Sequence, residues 1–502
     1  MGNSDVVLLG GASLTCAGVD AVARRGARVE VEPAAARRAA ASHGFLLRLT
    51  EENFPIYGLT TGCGPLAAHG IDAGQREDFQ RNLVRSHANT LGAAHPVEFV
   101  RAAMVLRAHC FAQGRSGVDP ALIELLRGML NAGIHPVVRE VGGCGASGDL
   151  VELAQIALAA LGEAEVEYDG AVVPAAQALR RAGLQPLVPR HREGLALMNG
   201  TSFHTGAAAV LLCRAERCAR AARVAAAMSF EALCGNLQAL DAELQNVRPH
   251  PGQKAVADAL RALVAGSELV RNGRSPAASQ DAYTVRCIPQ VLGAAHDTQA
   301  AAARVVEIEI NSVCDNPIFL ADEGRVVHGG NFHGQPVAMA LDQLKLAATE
   351  IALAAERRIA RLLDPALNNG LPAFLVRGTP GLENGFMGLQ YCASHMAADN
   401  AVLVTPASVR SLPTNANNQD IVGMGMVAAR QARRVLDNLE QIVAIELLCA
   451  AQALDIRGVE RAGQGTRAAH SVVRRHVAPL VTDRSLAADV RAVCELIERD
   501  AW

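Results

Sequence analysis

Aromatic side chains are scarce in this chain, at 3% of 502 residues, with four tyrosines and one tryptophan. Two of the four, Tyr57 and Tyr283, fall inside glycine-rich or polar stretches, where a core role does not account for them. Net charge is also nearly absent: 47 Lys and Arg stand against 50 Asp and Glu, −3 in sum, with the two signs interspersed. That argues against a nucleic-acid or anionic-membrane surface, which needs a basic stripe. The twelve cysteines include no CxxC pair, and Cys213 and Cys218 are too loosely spaced for a zinc knuckle. With no signal-peptide pattern at the start, they are expected to be reduced, mostly buried thiols of a cytoplasmic protein. No apolar run reaches membrane-spanning length without a charge or a Gly/Pro break. No metal and no external cofactor are expected.

Half the residues are apolar, and Ala, Leu, Arg and Val dominate, a mix that favours helix. The expected fold is mainly all-α: a long central helical bundle over 201–502 and a smaller N-terminal lobe over 1–200. Against this background stands VGGCGASGDL, 141–150, with four glycines between positions 142 and 148. Neither helix nor strand favours such a stretch, because each glycine adds backbone freedom that folding must remove. A phosphate cradle fails on spacing, since no Gly-Lys-Ser/Thr follows. One remaining reading is a plain turn before a helix, with Asp149 as its N-cap. The other is chemical. If the Gly148 nitrogen reaches the Ala146 carbonyl carbon, a five-membered ring closes. Loss of water from that ring, and of the Ser147 hydroxyl as a second water, leaves an exocyclic methylidene, an electrophile that no ordinary side chain supplies. Glycine suits the attacking position because it has no Cβ to obstruct the approach.

Other stretches follow in chain order. The loop FPIYGLTTGCGPLAAHGI, 54–71, carries Tyr57 among glycines and threonines, either as a surface loop or as a side chain free to enter a site. Two or three amphipathic helices are expected over 73–133, with Ser86 and His87 in the first and a stop at Gly92. Residues 149–162 read as helix, and EAEVEYDGAVVP as a hairpin turning at Asp169-Gly170. Asn199 interrupts an apolar run before a long Ala-rich helix, about 207–245; it is either a turn residue or a fixed amide aimed at a ligand. Gln280, Tyr283 and Arg286 lie in a polar run leading into a helix of about 293–312, and an arginine there suits a carboxylate. Long helices are also expected over 334–365 and, opened by PTNANNQDIVGMG at 413–425, on to about 456, with two shorter ones in the tail.

Taken in order, YGLTTGCG, NLVRSHA, GCGASGDL, EGLALMNGT, QDAYTVRCIPQV, EINSVCDNPIF, GGNFHG and NNQDIVGMG resemble the histidine/phenylalanine/tyrosine ammonia-lyase and aminomutase family, over about residues 50–430. The resemblance implies a 4-methylidene-imidazol-5-one formed from Ala146, Ser147 and Gly148, and a homotetramer whose active sites each draw residues from three subunits. It implies that the group makes the amine of a small-molecule amino acid a better leaving group. Tyr57 matches the family's base, Arg286 the carboxylate clamp, and Asn199 and Tyr283 the residues that orient ring and amine. Gln280, Phe332, Asn418 and Gln419 match the pocket lining. The implied product is an α,β-unsaturated acid plus ammonia.

Substrate clues point in more than one direction. Ser86-His87 looks like the pair of histidine lyases and tyrosine aminomutases, whereas Gln419 stands where histidine lyases carry a glutamate. Thr60 stands where they usually have asparagine. These favour L-tyrosine over L-histidine. A 2,3-aminomutase is the alternative, and a catalytically inactive helical scaffold a third. The family generally follows Ala-Ser-Gly-Asp-Leu with Ala-Pro-Leu-Ala/Ser-His, but this chain reads VELAQ, placing Glu152 and Gln155 there. Glu152 either alters the centre's electrostatics or faces another subunit.

Overall fold

The computed structural model describes residues 6–11, 13–273 and 280–502, so part of the polar run before Gln280 lies outside the described residues. The chain is mainly α-helical, with short strands confined to small two- and three-stranded sheets. It forms two compact units. The first comprises Met1–Cys213, Ala302–Asp342 and Pro406–Arg430, and the second comprises the remaining three segments. This differs from a single cut at residue 200, because two later stretches return to the first unit.

In the first unit, local signals account for most boundaries. Helix Cys16–Arg25 starts at Thr15, whose hydroxyl accepts from Gly18 N–H, and stops at Gly26 in the left-handed region. Helix Pro120–Ala132 is capped by Asp119, carries Pro at its start and also ends on a left-handed glycine, Gly133. Helix Val97–Ala112 is buried continuously from Phe99 to Ala112, so its hydrophobic positions show no one-sided pattern. Its Arg101 is satisfied by the carbonyls of Val22 and Leu130. The expected hairpin forms: Glu165–Tyr168 pairs with Ala171–Pro174, and Asp169 and Gly170 both take positive φ, as a type I′ turn requires. Gly92 does not stop a helix. The helix ends at His87, and Gly92 lies in strand Leu91–Ala94, paired irregularly with Arg139–Val141.

The second unit is built on long helices. Ser202–Ala232, Ile288–Ile310, Gln335–Leu363 and Gly425–Arg457 each contribute residues to it. Buried alanines, among them Ala221, Ala222, Ala225, Ala226, Ala450 and Ala451, give the helices smooth faces that pack closely. One buried network joins three of them: Arg358 forms a two-pronged ion pair with Glu446, which also accepts from Ser229 Oγ at 2.8 Å. The Ala-rich helix stops at Ala232 rather than near 245, because Cys234 turns left-handed and Gly235 N–H returns to the Phe230 carbonyl.

Candidate active site

The glycine-rich loop of the first unit doubles back on itself. Gly145 and Gly148 face each other as an isolated antiparallel bridge, with Ala146 and Ser147 at the tip. Gly145, Ser147 and Gly148 have φ of 90°, 45° and 74°, a left-handed run that costs little at glycine and about 1–2 kcal/mol at serine. Surrounding backbone holds it there. Gly200 N–H donates to the Ser147 carbonyl at 3.0 Å, Asp149 N–H to the Gly200 carbonyl at 2.8 Å, and Met424 N–H to the Cys144 carbonyl at 3.1 Å. A Cβ on Gly148 would collide with the Gly200 carbonyl and lie 3.0 Å from that of Phe332. The attacking position of the expected ring therefore tolerates only glycine, and the tripeptide sits in a tight turn, both of which fit the self-cyclised group.

Asp149 does not cap the helix that follows it. Its carboxylate accepts from Phe203 N–H (2.8 Å) and His204 N–H (2.9 Å), capping Ser202–Ala232, and pairs with His204 Nδ1 at 2.7 Å. Burial disfavours the imidazolium, but Asp149 more than offsets this and raises the His204 pKa. Glu152 is fully buried in the same chain, so it does not face another subunit. One oxygen accepts from Gly143 N–H at 2.9 Å, while burial, with Asp149 adding, pushes the carboxyl up to about 7.

Asn199 is buried, and its Nδ2 donates to Asp315 Oδ1 at 2.9 Å. Because a carboxylate only accepts, this bond fixes the amide's orientation and leaves Asn199 Oδ1 as the free acceptor. Asp315 is itself gripped by Arg192 through contacts of 2.8 and 3.1 Å, both side chains being fully buried. Burial opposes ionisation of Asp315, yet Arg192, Arg107 and Asn199 hold its pKa below the ordinary value. Arg107 Nη1 donates to the Asn199 carbonyl at 2.6 Å. Replacing Asp315 with Ala strands the buried Arg192 cation, so a loss of about 3–5 kcal/mol is expected. Denaturant unfolding checks this, and a loss under 1 kcal/mol contradicts it.

Tyr57 is half-buried, and its hydroxyl accepts from Gly64 N–H at 2.7 Å. Burial raises the phenol's pKa, and Cys63 adds to the rise. Thr60 is committed elsewhere: Ile56 N–H donates to its hydroxyl at 2.7 Å, closing the turn, so its identity says nothing direct about substrate. Gln80 fastens the loop, donating to the Gly58 carbonyl and accepting from Leu195 N–H.

Gln419 Nε2 lies 3.3 Å from Ser147 Oγ, while Thr414 Oγ1 donates to Gln419 Oε1 at 3.1 Å. Between these two residues Asn415, Ala416 and Asn417 all take φ of 53–63°, so an alanine occupies a position that favours glycine or asparagine. Ala416→Gly is expected to stabilise the protein by about 1 kcal/mol, read as a higher Tm. An unchanged or lower Tm contradicts that strain. Asn418 lies exposed beside Gln419, and Phe332 is partly buried, its carbonyl backing Gly148.

Ser86 and His87 close helix Arg76–His87. His87 Nδ1 sits 2.9 Å from the Leu83 carbonyl, which can only accept. Ser86 Oγ lies 3.1 Å from the same nitrogen, so Nδ1 is held at the helix end and Nε2 is the ring nitrogen left to face outward. Gln280, Tyr283 and Arg286 belong to the second unit: Arg286 donates to Gln280 Oε1 and stacks 4.7 Å over the Tyr283 ring, which is 70% exposed.

The family model described as aromatic amino acid lyase matches residues 14–475. The chain belongs to the aromatic amino acid lyase family. Histidine ammonia-lyase of Symbiobacterium thermophilum is 46% identical to this lyase over 488 residues, covering 97% of this chain and 96% of the relative. Among solved structures, tyrosine aminomutase from Streptomyces globisporus has a TM-score of 0.94 and 39% identity, covering 99% of this chain and 97% of that one. Histidine ammonia-lyase from Trypanosoma cruzi has a TM-score of 0.92 and 36% identity, covering 99% and 94%. The lyase is a carbon–nitrogen lyase of the aromatic amino acid and histidine ammonia-lyase type. Arg107, Arg192, Asp315 and His204 also belong to the site, although no local sequence signal marks them. Arg192 and Asp315 lay inside or beside quoted motifs, but they meet across 123 residues of sequence.

Proposed function

We propose that this lyase eliminates ammonia from L-tyrosine through a methylidene-imidazolone made from Ala146, Ser147 and Gly148. The observation that carries the cyclisation is the Gly145–Gly148 turn, in which the Gly200 carbonyl blocks any Cβ at 148. When formed, the group supplies an electrophile that turns the substrate's amine into a better leaving group. The chain's own residues do the rest. Arg286 holds the substrate carboxylate by two parallel bonds. Asn199, locked by Asp315, presents its oxygen to the substrate's amine. Tyr57 withdraws the β-proton. His87, with Nδ1 held against its own helix, offers Nε2 to the substrate ring, where a phenol hydroxyl is a partner. Gln419 adds no charge, which suits a neutral phenol.

Histidine is the second reading, favoured by the 46% identity to a histidine ammonia-lyase. Likeness to a tyrosine aminomutase favours a mutase, which differs in holding its product long enough to re-add nitrogen. Separate incubation with tyrosine, histidine and phenylalanine decides among them. Coumarate from tyrosine is expected; urocanate transfers the substrate to histidine, and a β-amino acid transfers the reaction to a mutase.

A homotetramer with shared active sites is part of the proposal. Its support is the exposed apolar side chains on the long helices, Ile308, Leu346, Leu353, Tyr391 and Val402. A cytoplasmic setting is also part of the proposal, supported by thiols that form no disulfide among the described residues, Cys16, Cys110 and Cys449 among them buried. Among the described residues no helix is long and apolar enough to cross a membrane.

A further inference from the structure

We propose that Glu152 is a positioning residue for ring closure, its carboxylate anchoring the upstream arm of the cyclising loop through the Gly143 amide. The inference rests on the cyclisation proposed above. Closure joins the Gly148 nitrogen to the Ala146 carbonyl carbon. The Ala146 oxygen departs as water with the protons of the Gly148 and Ser147 nitrogens. The Ser147 hydroxyl departs as a second water with the Ser147 α-proton. Nothing else is consumed, so the rate depends on how firmly the two backbone atoms are pressed together.

Three contacts supply that pressure. Gly200 grips the downstream side at the Ser147 carbonyl and the Asp149 amide. Met424 holds the Cys144 carbonyl on the upstream side. The third contact, Gly143 to Glu152, is the one made by a side chain, and it brackets the tripeptide: a 2.9 Å bond between residues nine apart closes the loop from its first arm to the helix that follows it. That helix, Leu150–Ala160, is largely buried, so Glu152 is held by packing on the element that follows the loop. Gly143 is shaped to this purpose. A Cβ there would strike both carboxylate oxygens, so the absent side chain is what lets the carboxylate seat. The acid is also expensive to keep. It is fully buried beside Asp149, and among the described residues its second oxygen has no hydrogen-bond partner. An apolar residue there would avoid that cost, and the family's usual proline would not supply the bond.

The test follows ring closure as the two-water mass deficit and near-ultraviolet absorbance of newly synthesised full-length chains sampled over time. Glu152→Ala is expected to slow closure roughly tenfold or more, the scale of losing a buried hydrogen bond to a charged group. Glu152→Gln, which keeps an accepting oxygen, restores closure to near the parent rate. Gly143→Ala, which displaces the carboxylate, slows closure as Glu152→Ala does, and the double variant is no slower than the worse single one. Closure at the parent rate in folded Glu152→Ala, additive losses in the double variant, or failure of folded Glu152→Gln to close overturns the inference. Should Glu152→Ala not fold by circular dichroism, Gly143→Ala and Glu152→Gln carry the same decision. A parent chain with no deficit overturns the underlying cyclisation instead, so the two failures are distinguishable.

Discussion

Ser147→Ala is expected to lower turnover by roughly 10³-fold or more, the scale at which losing a covalent-catalysis group is felt, and to remove the near-ultraviolet absorbance of the ring. Alanine has no hydroxyl to depart as the second water, so the exocyclic methylidene cannot form. The change removes one oxygen and leaves the supporting backbone bonds intact, including Gly200 N–H to the residue-147 carbonyl and Asp149 N–H to Gly200. Folding and assembly are therefore expected to survive. The measurement is a borohydride-sensitive absorbance difference alongside initial rates. A folded variant that keeps a tenth of the parent turnover would contradict the role of the cyclised group.

Tyr57→Phe produces the complementary result: the ring stays, and turnover falls by about 10²–10⁴-fold, the range for losing a positioned general base. The phenol's pKa stands above its ordinary value, chiefly through burial. The base form is thus a small fraction at neutrality and grows with pH. The sign follows directly: kcat/KM rises as pH increases from neutral into the alkaline range, and the Phe variant flattens that limb. Binding at the proposed carboxylate clamp, Arg286, does not depend on the phenol, so KM is expected to move far less than kcat. Full activity in the variant, or an unchanged pH limb, rules out Tyr57 as the base.

The parts of the site that were readable in sequence are those whose geometry demands an unusual residue. Gly148 is legible because a Cβ would meet the Gly200 carbonyl, and Gly145 because its left-handed backbone selects glycine. The Asp169-Gly170 hairpin is legible for the same reason. The supporting shell was not readable, because its logic lies in partners far apart along the chain. Asp149 has the composition of a cap for its own helix, yet it caps Ser202–Ala232, more than fifty residues on. Asn199 suggested a fixed amide, but what fixes it, Asp315 and behind it Arg192, emerges only once the fold joins residues separated by 116 and 123 positions. Glu152 was visible as a departure from pattern, while its destination at Gly143 was not. Thr60 stood as a clue to substrate choice, but its hydroxyl is claimed by a local turn.

The account turns on whether Ala146, Ser147 and Gly148 have condensed with one another. Intact-mass spectrometry of the freshly purified full-length chain tests this most directly. The expected result is a mass below that of the encoded polypeptide by two water molecules, with fragmentation placing the deficit within residues 146–148. A chain of full encoded mass would contradict it, leaving a family member that holds the turn without the chemistry.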